Sequence, residues 1–249
     1  MNDIVRFAAV ADLHCSRHAH GELQALFARM AEEADVLLLG GDLTDYGTPN
    51  EARLLAAELK AASARPVLAV LGNHDYESGQ QHAVKDILRE AGVHVLDGDG
   101  WEADGIGVAG VKGFLGGFGA RMLQSWGEAT IKALVREDME ESLKLETALA
   151  RLSAPVQVVL LHYSPVRTTV EGEPPEIIPF LGSSRLEEPL HRHPVAAVFH
   201  GHAHHGTPEG FTSNGIPVFN VSLPLLKRRH PGLAPFKTFE VKLDPAARS

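Results

Sequence analysis

The sequence predicts an α/β fold, and two observations carry this prediction. Short runs of Val and Leu that suit strands covered on both faces, such as residues 36–39, alternate with longer amphipathic segments. A chain of 249 residues, 44% of them hydrophobic, can also bury a sizeable core. Because no internal repeat and no linker divides the chain, we expect a single domain over residues 1–249.

In the first half of the chain, predicted strands and helices alternate regularly. Residues 21–34 carry apolar side chains at helical spacing, and Thr48-Pro49-Asn50-Glu51 is typical of a helix start. The expected strands are residues 4–11, 36–39, 66–71 and 93–96, and the expected helices are residues 21–34, the segment from Thr48, and residues 80–91.

The second half continues this alternation with longer loops. The expected strands are residues 106–111, 156–161, 195–199, 216–221 and 236–243, and the expected helices are residues 130–152 and 184–192. Residues 97–100 are predicted to be a turn. The Gly-rich residues 112–119 are a phosphate cradle, a mobile flap or a plain loop, and residues 171–179 are a surface excursion.

Three local features in this half carry explicit interpretations. Trp126 is either a core anchor, which we favour, or a ring that stacks on substrate. The acidic run at residues 136–141 is interpreted as the solvated face of a helix. The basic residues 227–229 either contact a phosphate or lie in a solvated loop, and we favour the loop.

Charge and cysteine content exclude several classes of protein. The formal net charge of −9 argues against a protein that grips nucleic acid with its whole surface, although bound metal would still permit a small anionic substrate. The single cysteine, Cys15, excludes internal disulfides and fits a reducing compartment. No apolar run reaches the roughly 18 residues of a membrane span, and no signal peptide is evident. We therefore expect a cytoplasmic protein without a membrane partner.

Metal-ligand residues follow the first predicted strand. In an extended segment, residues i and i+2 point to the same side, so Asp12 and His14 are expected to bind one ion together. The alternative is an ordinary polar loop. Cys15, which comes next, is either a further ligand or, as we favour, a passive thiol.

Later strands end in the same way. Asp42 follows residues 36–39, at the strand end where open α/β sheets place ligands, although it would also suit the cap of the next helix. Gly72-Asn73-His74-Asp75 follows residues 66–71. There, Asn73 offers a neutral oxygen ligand, and His74 is suited to donate a proton to a leaving oxygen.

His162 ends the strand at residues 156–161, and Gly201-His202-Ala203-His204 follows the strand at residues 195–199. As i and i+2 neighbours, His202 and His204 are expected to point the same way. Five strand ends therefore deliver Asp, Asn and His side chains to one rim. This ligand set suits two divalent ions bridged by Asp42.

The chain resembles the calcineurin-like metallophosphoesterases, whose five-block signature it matches in order from residue 12 to residue 204. The resemblance implies a four-layer α-β-β-α sandwich with mixed sheets and a dinuclear metal site. One ion would be held by Asp12, His14, Asp42 and His204, and the second by Asp42, Asn73, His162 and His202. His74 would correspond to the proton donor, Asp45 would orient it, and Asp75 would support the loop from behind the ligands.

The resemblance implies a metal-dependent phosphoric ester hydrolase, either a phosphodiesterase or a phosphatase, that attacks small phosphate esters with a metal-activated water. Its ions would be a divalent or mixed-valence pair of Mn, Fe or Zn. Tyr46 and Leu71 stand where the family's protein Ser/Thr phosphatases carry arginines, which argues against a phosphoprotein substrate. Residues 41–55 look more like the bacterial cyclic-nucleotide phosphodiesterases. The alternative is a non-catalytic scaffold of this fold that holds protein partners, although such scaffolds typically lose ligands or the catalytic histidine.

Overall fold

A computed structural model describes residues 4–16 and 21–243 of the chain. The strands are β1 (Ile4–Val10), β2 (Val36–Gly40), β3 (Val67–Val70), β4 (Val93–Val95), β5 (Asp99–Ala103), β6 (Ile106–Val111), β7 (Val156–Leu161), β8 (Val195–His200), β9 (Glu209–Phe211), β10 (Pro217–Asn220) and β11 (Lys237–Lys242). The helices are α1 (Glu22–Glu33), α2 (Pro49–Glu58), α3 (Gln81–Glu90), α4 (Ala129–Arg151) and α5 (Leu223–Arg229). No helix within these residues is long and apolar enough to cross a membrane.

The strands form two mixed sheets. The first sheet has the order β11-β1-β2-β3-β4 and is parallel except for the antiparallel edge strand β11. The second has the order β5-β6-β7-β8-β10-β9, with a parallel centre and an antiparallel strand at each edge. The carboxyl ends of β1, β2 and β3 therefore lie side by side in one sheet, and those of β7 and β8 lie side by side in the other.

Apolar side chains arrange these elements in layers. Leu38 of the first sheet and Phe199 of the second belong to the cluster that fills the space between the sheets. The neighbouring Leu39 points to the opposite face and packs in a cluster with Phe27 of α1 and with residues of α2 and α3. Leu149 of α4 covers the outer face of the second sheet. The α/β fold with mixed sheets, predicted as an α-β-β-α sandwich, is confirmed.

Helix α2 begins where the sequence predicts. The Thr48 hydroxyl accepts the main-chain N–H of Glu51, and the Glu51 carboxylate accepts the N–H of Thr48 at 3.0 Å. This reciprocal capping satisfies N–H groups that have no partner inside the helix. It also fixes the backbone that follows the loop after β2.

Three backbone predictions differ from the structure. The predicted turn at residues 97–100 is shorter, because Asp99 and Gly100 already pair with β6 as the start of β5. The basic residues 227–229 lie in α5, not in a loop, because Leu223, Leu225 and Leu226 give this segment a buried face. Residues 184–192 form two short 3-10 helices, Ser184–Leu186 and Pro189–Arg192, in place of one longer helix.

Two interpretations of individual side chains are wrong. Trp126 is not a core anchor, since 62% of its surface is exposed. The acidic run of α4 is not wholly solvated, because Asp138 and Glu141 are buried. Asp138 accepts the hydroxyl of Ser183 at 2.9 Å, and Glu141 accepts the N–H of Gly113 at 2.8 Å. These carboxylates anchor loops that are distant in sequence.

Candidate metal centre

Asp12 and His14 directly follow β1, and the structure brings them together with His204. Ligand atoms of the three residues lie within 4.8 Å of one another, and Asp12 Oδ1 lies 3.3 Å from His204 Nε2. The predicted geometry is wrong, however, because Asp12 and His14 have φ values of 57° and 43° and are not extended. Both residues have the left-handed backbone conformation, which non-glycine residues rarely adopt, and this conformation places their side chains near His204.

His162, at the end of β7, is held in one tautomer. Its Nδ1 lies 3.0 Å from the carbonyl oxygen of Gly40, which only accepts, so Nδ1 carries the proton. Burial lowers the pKa of His162 well below its usual value, which leaves Nε2 as a bare lone pair at neutral pH. This lone pair faces Asn73 Oδ1 at 2.9 Å and Asp42 Oδ1 at 3.4 Å. Acceptors this close repel one another, and a cation bound between them removes the repulsion.

The second group of possible ligands consists of Asp42, His162 and His202, whose ligand atoms also lie within 4.8 Å of one another. His202 and His204 therefore belong to different groups, and the extended backbone assumed for the pair is not observed. His202 has a φ of 69°, and its N–H donates to the Asp12 carboxylate at 2.9 Å. This turn accompanies the placement of the two imidazoles in separate groups.

Asp42 belongs to the second group and also lies near the first. Its Oδ1 is the atom nearest His162, and its Oδ2 lies 4.0 Å from His14 Nε2. Burial, and then the charges of Asp12 and Asp75, raise the pKa of Asp42 well above its usual value. His14 Nε2 is buried and has no hydrogen-bond partner among the described residues. These residues fit a pair of cations on either side of Asp42, which would stabilise its ionised form and give His14 Nε2 a partner.

Burial and contacts between charged groups set the protonation of the imidazoles. Burial lowers the pKa of His202 to about 4, so this side chain is neutral near pH 7. Contact with the Asp12 carboxylate raises the pKa of His204, whereas the same contact and the nearby histidines outweigh burial and hold the pKa of Asp12 below its usual value. The two groups are therefore not electrostatically equivalent.

Three glycines allow the backbone to approach these side chains. A Cβ atom on Gly41 would lie 2.5 Å from His162 Nδ1, and one on Gly201 would lie 2.5 Å from Asp12 Oδ2. A Cβ atom on Gly72 would collide with Asp42 and would lie 2.7 Å from His162 Cε1. Glycine is therefore required at positions 41, 72 and 201, because any larger residue would collide with a neighbouring side chain of the site.

Asp75 is fully buried, and its contacts connect the loops that carry the candidate ligands. Its carboxylate accepts the N–H groups of Gly72, Leu43 and Thr44 at 2.8, 3.1 and 2.8 Å, and the Thr44 hydroxyl at 2.6 Å. Burial raises the pKa of Asp75, while these hydrogen bonds oppose the rise. The carboxylate ties the loop that carries Asn73 and His74 to the loop that follows Asp42.

His74 contacts Asp45 in an unexpected way. Its Nδ1 lies 2.8 Å from the main-chain carbonyl oxygen of Asp45, and not against the carboxylate that was expected to orient it. The Asp45 carboxylate instead lies 3.4 Å from His14 Nδ1. The main-chain N–H of His74 donates to Asp42 Oδ1 at 2.9 Å. The imidazole is thus held beside the ligands by the backbone.

Sequence reasoning missed one neighbour of the site, Tyr163, and did not favour a role for a second, Arg228. The Tyr163 ring lies 4.5 Å from the His202 ring and 5.3 Å from the His162 ring, measured between centroids. The Arg228 guanidinium donates to the carbonyl oxygen of His204. The position of Tyr163 directly after His162 was an available signal, whereas nothing local connects Arg228 to the histidines. Cys15 is buried, and burial raises the pKa of its thiol to about 12, as suits a passive side chain.

Several solved structures share this architecture. A phosphopantetheinyl hydrolase of Mycobacterium tuberculosis aligns with a TM-score of 0.65 and 18% identity over 96% of each chain. GAP50, the anchor in the inner membrane complex of Plasmodium, aligns at 0.59 and 12%, over 96% of this chain and 81% of its own. A purple acid phosphatase from yellow lupin seeds aligns at 0.56 and 13%, over 90% of this chain and 44% of its own. Identities this low show a shared fold alone.

Sequence comparison is more specific. No curated protein sequence matches the chain. The family model for calcineurin-like phosphoesterases, in contrast, matches residues 5–206, a range that contains every residue of the metal centre. The match covers most of the chain and includes all five strand ends described above. The chain therefore belongs to the calcineurin-like phosphoesterase family.

Proposed function

We propose that this chain is a dinuclear-metal-dependent phosphoesterase that hydrolyses small phosphodiesters or phosphomonoesters. One observation carries the proposal: Asp42, His162 and His202 bring ligand atoms within 4.8 Å of one another, Asp12, His14 and His204 do the same, and Asp42 Oδ2 lies 4.0 Å from His14 Nε2. A third group of the same size, His14, Asp45 and His74, places His74 beside them. This arrangement has the parts that hydrolysis at phosphorus requires, namely sites for two cations and an adjacent proton donor.

The proposed ligands are divided between the two groups. Asp12, His14 and His204 would hold one ion, Asn73, His162 and His202 would hold the second, and Asp42 would bridge them. When bound, the ions would activate a water for attack at phosphorus and neutralise charge on the phosphoryl oxygens. A mixture of imidazole, carboxylate and amide ligands suits Mn, Fe or Zn.

His74 would protonate the departing alcohol. Its Nδ1 donates to the carbonyl oxygen of Asp45, so Nε2 is the nitrogen that can exchange a proton with the substrate. The main-chain N–H of His74 donates to Asp42 Oδ1. This bond would keep the imidazole close to the phosphoryl group.

The substrate is proposed to be a small ester. Tyr46 is exposed and Leu71 is buried, so neither position supplies the cation that clamps phosphate in the phosphoprotein phosphatases. The net charge of −9 argues against a nucleic acid. The buried thiol of Cys15 is compatible with the proposed cytoplasmic location.

A scaffold remains the second candidate, because GAP50, which is an anchor in the inner membrane complex of Plasmodium, has the same fold. The complete ligand set and His74 favour the hydrolase here, since a scaffold has no use for a buried lone pair on His162 that faces two oxygens.

The deciding experiment is hydrolysis by metal-stripped protein that is refilled with Mn²⁺, with bis-p-nitrophenyl phosphate and p-nitrophenyl phosphate as substrates. Wild-type protein should bind two ions and hydrolyse at least one ester, and the preferred ester identifies a diesterase or a monoesterase. Asp42→Asn should lose about 100-fold in kcat and bind less metal. Asp86→Asn, on the exposed face of α3, is the matched control and should retain activity. Two bound ions without turnover of either ester would favour the scaffold.

A further inference from the structure

The imidazole of His202, a proposed ligand of the second ion, is in contact with two groups that are not ligands themselves. Its Nε2 lies 3.3 Å from the main-chain carbonyl oxygen of Phe180. The Tyr163 ring packs against it, with 4.5 Å between the ring centroids and 53° between the ring planes. Neither Tyr163 nor Phe180 takes part in the proposed hydrolysis.

The contact with Phe180 decides which nitrogen of His202 is available to a metal ion. A carbonyl oxygen only accepts hydrogen bonds, so the proton of the neutral imidazole lies on Nε2. Nδ1 therefore keeps the lone pair that binds a cation. Metal-binding histidines commonly donate their other N–H to a carbonyl in this way, and the bond orients the ring.

Tyr163 contacts both imidazoles of the second group of ligands. Its ring centroid lies 5.3 Å from that of His162, in an edge-to-face arrangement, in addition to the contact with His202. These separations are typical of favourable aromatic pairs. Among the residues that the structure describes, the Tyr163 ring does not contact His14 or His204 of the other group. A change at Tyr163 should therefore affect one ion more than the other.

Tyr163 is itself held in place by Lys112. The N–H of Tyr163 donates to the main-chain carbonyl of Lys112 at 3.0 Å, and Lys112 Nζ lies 5.3 Å from the centroid of the ring, within the range of cation–π attraction. Both side chains are buried. The Tyr163 hydroxyl has no hydrogen-bond partner within residues 4–16 and 21–243. The aromatic ring is therefore the part of Tyr163 that holds its neighbours.

The segment that carries Phe180 is anchored to two other loops. The N–H of Ser164, the residue after Tyr163, donates to the carbonyl oxygen of Leu181 at 3.0 Å. The N–H of Gly117 donates to the carbonyl oxygen of Gly182 at 2.9 Å. The Gly-rich loop after β6, for which the sequence leaves open a cradle, a flap or a plain loop, thus helps to hold Phe180 beside His202.

We propose that Tyr163 and the main-chain carbonyl of Phe180 are positioning groups for His202, and that they set the affinity of the second ion. The inference rests on the dinuclear centre of the proposed function and adds the groups that control one of its two ions. Without the ring and the carbonyl, the imidazole of His202 would be free to rotate, and Nδ1 would no longer be directed at the second ion. The ion of the other group would keep all its ligands.

The test is calorimetric titration of metal-stripped protein with Mn²⁺. Wild-type protein should show two binding events, which are assigned with His202→Ala and His204→Ala, because each of these variants removes a ligand of one ion. Tyr163→Leu keeps an apolar side chain but removes the ring. It should weaken binding of the second ion by about 10- to 100-fold and leave the affinity for the first ion unchanged. Tyr163→Phe keeps the ring and should bind both ions like wild-type protein.

A second variant acts through the other contact. A Cβ atom on Gly182 would collide with the carbonyl oxygen of Ser164, so in Gly182→Ala the segment that carries Phe180 would have to move. This variant should also weaken binding of the second ion, and it decides the question if Tyr163→Leu does not fold. Phe27→Leu, which removes a fully buried ring on α1, is the control for a general loss of packing. It should lose stability in thermal unfolding and still bind both ions like wild-type protein.

The outcomes separate this inference from the proposed function. Selective loss of the second ion in Tyr163→Leu supports the inference. Wild-type affinity for both ions in that variant, or equal weakening of both, overturns the inference and leaves the dinuclear centre intact. Fewer than two ions bound by wild-type protein would overturn both proposals. Hydrolysis of p-nitrophenyl phosphate is measured in parallel, and two bound ions without hydrolysis would count against the function alone, because the calorimetry still decides the inference.

Discussion

The carboxylate of Asp75 accepts the main-chain N–H of Thr44 at 2.8 Å and so joins the loop after β3 to the loop after β2. The bond is fully buried, and the same carboxylate also accepts the N–H groups of Leu43 and Gly72. Asp42 lies on one of these loops and Asn73 on the other. Their separation at the metal centre therefore depends on a side chain that touches neither ion site.

Asp75→Asn should destabilise the protein by about 3 kcal/mol, because an amide NH₂ would face N–H donors that the carboxylate now accepts. The free energy of unfolding in urea measures this loss. Affinity for Mn²⁺ should fall as well, since the two loops would separate. Asp86→Asn serves as the exposed control, and an unchanged midpoint in Asp75→Asn would contradict the proposed role of this carboxylate.

Gly72→Ala should abolish metal binding, whereas its effect on the stability of the fold should be smaller. The new Cβ would collide with Asp42 and lie 2.7 Å from His162 Cε1. The side chains of Asp42 and His162 would therefore have to move apart. Metal content after dialysis and thermal unfolding measure the two effects separately. Gly215→Ala introduces strain at a φ of +89° in an exposed turn with open space around it. That control should lose about 1 kcal/mol of stability and retain its metal.

His74→Ala and Asp45→Asn should differ strongly in activity. The backbone carbonyl of Asp45, which holds His74, remains in Asp45→Asn, so this variant should lose less than about tenfold in kcat, against about 100-fold for His74→Ala. The loss in His74→Ala should be larger for ethyl phosphate than for p-nitrophenyl phosphate, because a poor leaving group needs the proton more. Equal losses in both variants would instead assign the orienting role to the carboxylate.

The positions of the candidate ligands are predictable from local sequence patterns, whereas their division into two groups follows only from the resemblance to the family. Asp42 and His162 follow apolar runs that suit buried strands, and parallel strand ends meet at one edge. The separation of His202 from His204 depends on a φ of 69° at His202, which no local pattern indicates. This conformation is stabilised by the hydrogen bond to Asp12, a residue 190 positions earlier in the chain.

The same limit applies to the burial of charged side chains. An acidic run on a helix predicts a solvated face, and most of α4 follows that rule. Asp138 is an exception because its partners, Ser183 and Arg185, are 45 and 47 residues away in the sequence. Contacts at this range depend on the complete fold and leave no trace in local periodicity.

Stability of the metal-free protein should fall as the pH is lowered from about 6.5 to about 4. Burial lowers the pKa of His200 to about 4, from a usual value of 6.5. In this pH window the unfolded chain binds a proton at His200 and the folded chain does not, so acid favours unfolding. The shift in pKa corresponds to a loss in the free energy of unfolding on the order of 3 kcal/mol for this fully buried side chain. His200 contacts Gly201 O and Thr169 Oγ1 at 2.8 Å and is not a proposed ligand.

His200→Gln isolates this contribution from the carboxylates of the site. The variant should be less stable at pH 7, because it loses the packing of the imidazole, but its free energy of unfolding should depend less on pH between 6.5 and 4 than that of wild-type protein. His82→Gln, on the exposed face of α3, should retain the wild-type dependence. Mn²⁺ should steepen the wild-type curve, because ion binding requires neutral imidazoles and protons compete for them. If the free energy of unfolding changed with pH in the same way for wild type and His200→Gln, His200 would not be responsible for the loss of stability in acid.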